Sequence, residues 1–300
     1  MVLQVGHPNL RSRTVAWLLE QSDPSARYLT LTRLLRENKD ALEVRASREA
    51  IPRVEPARDI LLAQYPQGYW MHPGIGYSPR YRATVWQILV LAQLGMARCP
   101  ALDRAVHHVF GENQRGDGAF RASSKDGDAP LGLNGSLLWA LETLGYGDLP
   151  EVRQAWSWVV RKAEARGWDA VSSGDAVKVL WAANAVVPRR LDEGIRRLRR
   201  ATSHWLLDAL PSEASRDSRR FLLTFPLTET TDLLQWTEVL AGAGCGDDPR
   251  LAAAKRWLAR RRRPDGAWSL ERSAGKFWAD FGAVGEPNKW ITIRALAVCG

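Results

Sequence analysis

RRRPDGAWSL, residues 261–270, ends a helix-like run in four arginines counting back to Arg260, turns through Pro-Asp-Gly and then presents a tryptophan. Read alone, it is a basic patch that would seek phosphate. Two other places in the chain change that reading. Gln64 is followed by Tyr-Pro-Gln, Gly68, Tyr69 and Trp70; Gln114 by Arg-Gly-Asp, Gly118, Ala119 and Phe120; and Arg262 by Arg-Pro-Asp, Gly266, Ala267 and Trp268. ARGW at 165–168 is a worn fourth copy. A helix-like run precedes each turn and an apolar-periodic run follows at some distance, so the arginine stretch is one member of a series.

Apolar residues recurring at three and four positions predict helices over 14–21, 26–37, a broken region 42–64, 82–94, 101–112, 131–144, 150–165, 175–186, 191–210, 229–241, 249–262 and 287–298. The sequence has no strand pattern. Gly95, Gly145 and Gly244 fall where helices close, and Pro130, Pro150, Pro249 and Pro287 fall where a first helical turn accepts proline. The helices alternate in kind. Members beginning near Ala26, Arg82, Leu131, Asp175, Glu229 and Pro287 are rich in small and apolar residues, as an inner ring would be. Their partners carry a narrower apolar stripe, as an outer ring would. The last inner helix lacks a partner after it and the helix at Thr14 lacks one before it, so pairing these two closes a circle.

Composition is compatible with one large domain: 300 residues, 45% hydrophobic and 25% charged. Uncharged stretches such as 83–97 are too short to cross a bilayer, and the start lacks the basic-then-apolar order of a signal peptide, so a cytoplasmic, soluble protein is expected, with peripheral membrane contact left open. Cys99, Cys245 and Cys299 are odd in number and widely spaced, which argues against disulfides or a thiolate metal site. A formal charge of +9, mostly from arginine, would suit nucleic acid, anionic lipid or a phosphorylated substrate.

The pattern Gln-x-x-x-Gly-x-Trp, with Trp257 and Leu258 ahead of Arg262, resembles the QW motif of squalene and oxidosqualene cyclases and of the wider prenyltransferase and terpenoid-cyclase superfamily. The resemblance implies an all-α (α/α)6 toroid of about six inner and six outer helices, as a single domain over residues 1–300, with a ligand cavity inside the inner ring. Its specific residues cover three turns. It also implies a structural role for the motif, in which the glutamine bonds to the neighbouring repeat. Arg262 stands where that glutamine is usual, and its neighbours face solvent or cap a helix C-terminus.

Inner helices of such a ring run parallel and collect their N-termini at one mouth, which favours anions. Alignment on their closing glycines and apolar pattern brings Trp86, Ser136, Lys178, Gln235 and Thr292 to one level. Arg82, Asp175, Asp232 and Lys289 lie a turn nearer the mouth, and Trp139, Trp181 and Glu238 a turn deeper. Class II cyclases of the superfamily protonate an alkene or epoxide with an aspartic acid of an Asp-x-Asp-Asp signature and guide the cation past aromatic faces. The nearest strings here are KDGDAP, with Asp126 and Asp128, and TETTDLLQ, with Glu229 and Asp232; neither is complete. Asp128 equally ends a glycine turn before a helix. Asp232 is the acid candidate, and equally a partner for Lys178 or Lys289 or for a helix N-terminus. Lys178 and Lys289 suit a ligand phosphate or the carboxylates of Asp175 and Asp232, while Trp139 and Trp181 suit helix packing or a cation-guiding wall.

The expected function is isoprenoid binding, extending to a single-domain class II cyclase-like enzyme that acts on a polyprenyl or prenyl diphosphate substrate. Two alternatives stand beside it. One is a non-catalytic toroid scaffold or carrier for an anionic or hydrophobic ligand. The other is a helical-repeat nucleic-acid binder using Arg189, Arg190, Arg196, Arg197 and Arg200, a stripe that Asp192 and Glu193 interrupt. The zinc site of protein prenyltransferases needs Asp-x-Cys, which is absent, and His7, His72, His107, His108 and His204 lack metal-ligand spacing. No cofactor is expected, with magnesium entering only alongside a diphosphate.

Overall fold

The computed structural model describes residues 13–125, 129–211 and 218–299, and every regular element in them is helical. The helices are α1 (Arg13–Leu18), α2 (Pro24–Leu29, continued by a π turn Thr30–Leu34), α3 (Leu42–Ala50), α4 (Ala57–Leu62), α5 (Thr84–Gln93), α6 (Pro100–Asn113) and α7 (Leu131–Leu144). They continue as α8 (Pro150–Arg166), α9 (Ser173–Ala185), α10 (Glu193–Asp208), α11 (Leu233–Leu240), α12 (Ala252–Arg260) and α13 (Lys289–Cys299). The inner and outer classes separate by burial. All ten residues of α5 are buried, whereas α10 buries one stripe formed by Ile195, Leu198, Thr202, Leu206 and Leu207.

The inner ring closes. Helices α5, α7, α9, α11 and α13 pack in succession, and α13 packs against α2 and its π turn. From there α2 returns to the end of α5, where Ser25 Oγ donates to Leu94 O at 2.8 Å. The expected adjacency of the first and last helices holds as well: Lys289 at the start of α13 pairs with Glu20 at 2.8 Å and lies over the ring of Trp17 in α1.

The repeated turns rivet the outer ring. Gln64 Nε2 donates to Gly68 O and, at 3.0 Å, to Ala101 O in α6; Gln114 Nε2 donates to Gly118 O and, at 2.8 Å, to Glu151 O in α8. The indole N–H of Trp70 reaches Ile60 O at 2.7 Å, and that of Trp268 reaches Leu258 O at 2.8 Å. Glycine is required because the turn is left-handed (φ +98° at Gly68, +94° at Gly118). A Cβ there would also lie 2.6 Å from the Arg104 carbonyl or 2.5 Å from Gln154 O. At the third turn a Cβ on Gly266 would meet Thr14 Oγ1 at 2.2 Å, and that hydroxyl donates to Asp265 O. Helix α1 therefore takes against the last turn the place that α6 and α8 take against the first two. The basic stretch is locally engaged: Arg261 pairs with Glu271 at 2.5 Å, Arg262 donates to Gly266 O at 3.1 Å, and Arg263 bonds to Asp265, Ser269 and Gly285 O.

The expected helix at 229–241 begins instead at Leu233, because Asp232, itself in an extended conformation, caps it and the preceding segment is irregular and bent. Pro226 cannot donate to a helix, and Thr224, Thr228, Thr230 and Thr231 are β-branched. This segment runs inside the ring. Gln93 of α5 grips Leu227 with both ends of its amide, at 2.9 and 2.7 Å, and Arg294 of α13 donates to Thr224 O at 3.2 Å. Phe225 stacks on Trp290 at 4.9 Å. The middle of the toroid is thus filled by the protein's own chain.

Candidate functional site

The filled centre leaves a space at each end. The upper one, about 210 Å³, lies at the N-terminal ends of the inner helices. Its apolar wall is Val85, Trp86 and Leu89 from α5 with Leu133 and Leu137 from α7; its polar wall is Ser136, Asp175, Lys178, Thr228 and Glu229, with Tyr77 at the rim. Small residues on α7 make this possible. A Cβ on Gly132 would sit 2.1 Å from Asp175 Oδ1, and one on Gly135 would sit 2.7 Å from the Lys178 carbonyl carbon, so α9 can approach only a glycine face.

Glu229 organises the polar wall. Its carboxylate accepts from the Tyr77 hydroxyl and pairs with Arg80 at 3.1 Å, while its backbone carbonyl accepts from Lys178 Nζ at 2.5 Å. Burial pushes the Tyr77 hydroxyl well above the ordinary phenol range, and the Glu229 carboxylate beside it adds to the shift. Lys178 is 7% exposed, and burial lowers its pKa below that of a free lysine, against the partial opposition of Asp175 and Glu229. The carboxylate of Asp175 accepts no hydrogen bond and joins no ion pair among the described residues, although its backbone N–H is capped by Ser172.

The lower space, about 20 Å³, is walled by Trp139 and Trp181, stacked at 3.7 Å, with Gln93, Phe225, Leu227, Glu238, Trp290 and Arg294 around it. Here lies the charged centre of the ring. Arg294 is 4% exposed and pairs with Glu238 at 2.7 Å and Asp232 at 3.5 Å. Burial alone would lower its pKa; the two carboxylates outweigh that and raise it.

Several of the candidate residues sit elsewhere than their sequence positions suggested. Asp232 lies 1% exposed with both oxygens engaged: Oδ1 accepts from Gln235 N at 2.7 Å and from Arg294, and Oδ2 accepts from Thr224 N at 2.9 Å. It is a helix cap and a buried ion-pair partner, and it does not line the upper cavity. Lys289 faces the seam, where Glu20 and Asp23 take its ammonium, so it does not meet Lys178. Arg82 stacks on Trp278 at 3.7 Å, and Gln235 is buried beside its cap, outside both cavities. Thr292 is a turn anchor: Thr84 Oγ1, Asn134 Oδ1 and Thr292 Oγ1 accept the backbone N–H of Trp70, Phe120 and Trp268 respectively. That equivalence shows an alignment slip of two residues in α13, which concealed Arg294 at the level of Trp86 and Ser136. A lone arginine within WITIRALAV was the available clue, since arginine is rarely buried without a partner. Trp86, Ser136, Asp175 and Lys178 do converge on the upper cavity, and Trp139, Trp181 and Glu238 on the lower. Asp126, Asp128 and His7 lie outside the described residues.

No family model matches the chain, and no curated protein matches it. Among solved structures it is similar to the type II terpene cyclase MstE from Scytonema without ligand, at 14% identity and a TM-score of 0.31, over 70% of this chain and 78% of that one. It is also similar to a variant of MstE in complex with its product, merosterolic acid A, at 10% identity and a TM-score of 0.34, over 93% of this chain and 96% of that one. A protein from Actinoplanes is similar at 12% identity and a TM-score of 0.28, over 81% of this chain and 95% of that one. What the cavity can do is decided by the side chains that line it. No described helix is long and apolar enough to cross a membrane.

Proposed function

We propose that the chain works as one toroidal unit that binds a short, neutral isoprenoid in the upper cavity, with Asp175 placed to exchange a proton with it. The observation that carries this reading is the two-sided lining of the 210 Å³ space: one wall of aromatic and aliphatic side chains, facing a wall of hydroxyls, carboxylates and one amine. The volume is below the roughly 300–1,000 Å³ of drug-sized sites. An isoprenoid of about one or two five-carbon units suits such a space, and a polyprenyl chain would require the 224–231 segment to leave. Charge argues against a diphosphate. Two carboxylates, Asp175 and Glu229, meet a single buried lysine, and the nearby cation Arg80 already serves Glu229.

Isothermal titration of geraniol, prenol and their diphosphates tests the reading. The alcohols are expected to bind at least about tenfold more tightly than the diphosphates, a difference of about 1.4 kcal/mol. Equal or reversed affinities would refute it. With a short isoprenoid epoxide as substrate, Asp175→Asn is expected to remove about a hundredfold or more of any acid-initiated turnover while changing Kd only a few-fold. If turnover persists in Asp175→Asn, the proton comes from elsewhere.

A carrier without chemistry is favoured by one observation, the filled centre of the ring, which leaves no aromatic tunnel along which a cation could travel. Wild-type protein that binds geraniol but converts neither alkene nor epoxide fits that reading. The nucleic-acid alternative loses its basic face: Arg189 pairs with Asp148, Arg190 with Glu142 and Asp148, Arg197 with Glu164, and Arg196 and Arg200 with Glu193.

A further inference from the structure

Lys178 is not explained by neutral-ligand binding alone. A lysine this buried normally sits in an ion pair, because an unpaired ammonium loses its hydration without compensation. Among the described residues Lys178 has no carboxylate within ion-pair distance; its Nζ meets a backbone carbonyl, that of Glu229, at 2.5 Å, and the same side chain lines the upper cavity. Asp175 precedes it by one turn of α9 and presents to the same space a carboxylate that no described residue bonds. An amine beside an apolar slot, with a proton-exchanging carboxyl group one turn away, is the arrangement that carbonyl chemistry uses. Burial makes the Lys178 ammonium easier to deprotonate than that of a free lysine, against the partial opposition of Asp175 and Glu229.

We propose that Lys178 forms an imine with the carbonyl group of a short isoprenoid aldehyde held in the upper cavity. This rests on the proposed function and names the reactive class of its ligand. The ammonium of Lys178 gives one proton to Asp175. The nitrogen lone pair then forms a C–N bond to the carbonyl carbon as the C=O π bond opens, and a proton passes from nitrogen to the resulting alkoxide. Asp175 protonates that hydroxyl, the C–O bond breaks, water leaves by the mouth and the C=N bond forms as a protonated imine. Ammonium and aldehyde thus become iminium and water, with Asp175 restored and no external oxidant or reductant.

Trapping with sodium cyanoborohydride at neutral pH in the presence of prenal or citral, followed by peptide mass mapping, tests this. The expected product is one adduct on the Lys178 peptide, heavier by the aldehyde mass less one oxygen, formed at least about tenfold faster than at any of the other six lysines, a preference of about 1.4 kcal/mol. Excess geraniol should slow it at least fivefold in the wild-type protein, a readout that needs no variant. Lys178→Arg, checked for folding by circular dichroism, should abolish it. Adducts distributed over exposed lysines, or formed equally in Lys178→Arg, would overturn the inference. If geraniol binds by calorimetry while Lys178 stays unlabelled, the imine fails and the binding reading stands; if geraniol does not bind either, both fail.

Discussion

Asp232 and Asp175 are two aspartates near inner-helix N-termini with opposite surroundings. Asp232 is surrounded by donors, and every one of them is part of the fold: a helix N–H, the N–H of Thr224 and the guanidinium of Arg294. Removing it should leave Arg294 with one carboxylate fewer and α11 without its cap. Asp232→Ala is therefore expected to cost about 3 kcal/mol or more, read as a lower midpoint in urea denaturation. Asp232→Asn keeps an oxygen for the cap and should cost less. A loss below about 1 kcal/mol in the alanine variant would show that the pair is not structural. Asp175 has no donor on its carboxylate among the described residues and lines the upper cavity instead. The sequence placed both near the mouth. It could not tell them apart, because which donors surround each carboxylate depends on residues eight to more than sixty positions away.

The helices themselves were legible, because the alternation of all-apolar and striped segments follows directly from having an inner and an outer ring. So were the turns: the recurring glycine marks a left-handed residue pressed against the next outer helix. Gly118→Ala is expected to destabilise by about 2 kcal/mol or more, through both the positive φ and the 2.5 Å approach to Gln154 O, with thermal unfolding as the measurement. Gly116, two residues earlier, has open space around its Cβ position and serves as the control, with an expected change within about 0.5 kcal/mol. Element starts were less legible. The apolar rhythm of 229–241 continues through Asp232, and periodicity alone does not distinguish a capping aspartate from a lumen-facing one.

At the scale of the molecule, closure and filling are coupled through α13. Trp290 stacks on Phe225 of the central segment and donates its indole N–H to Ser25 Oγ of α2 at 3.0 Å, so one side chain holds both the seam and the plug. Trp290→Ala is expected to cost about 3–5 kcal/mol, read by chemical denaturation. The same variant should gain affinity for longer prenols as the centre loosens, measured by calorimetry. Unchanged stability would mean that the ring is held shut elsewhere.

The sequence by itself determined the helical classes and the repeated turns, because periodicity and glycine geometry are local properties that tertiary context does not alter. The tertiary structure decided what fills the hole and which polar groups stay unbonded within it. Those outcomes depend on the 224–231 segment turning inward and on the register of α13, and both are set by contacts with Gln93, Asp232, Glu238 and Trp290 from helices far apart in the chain.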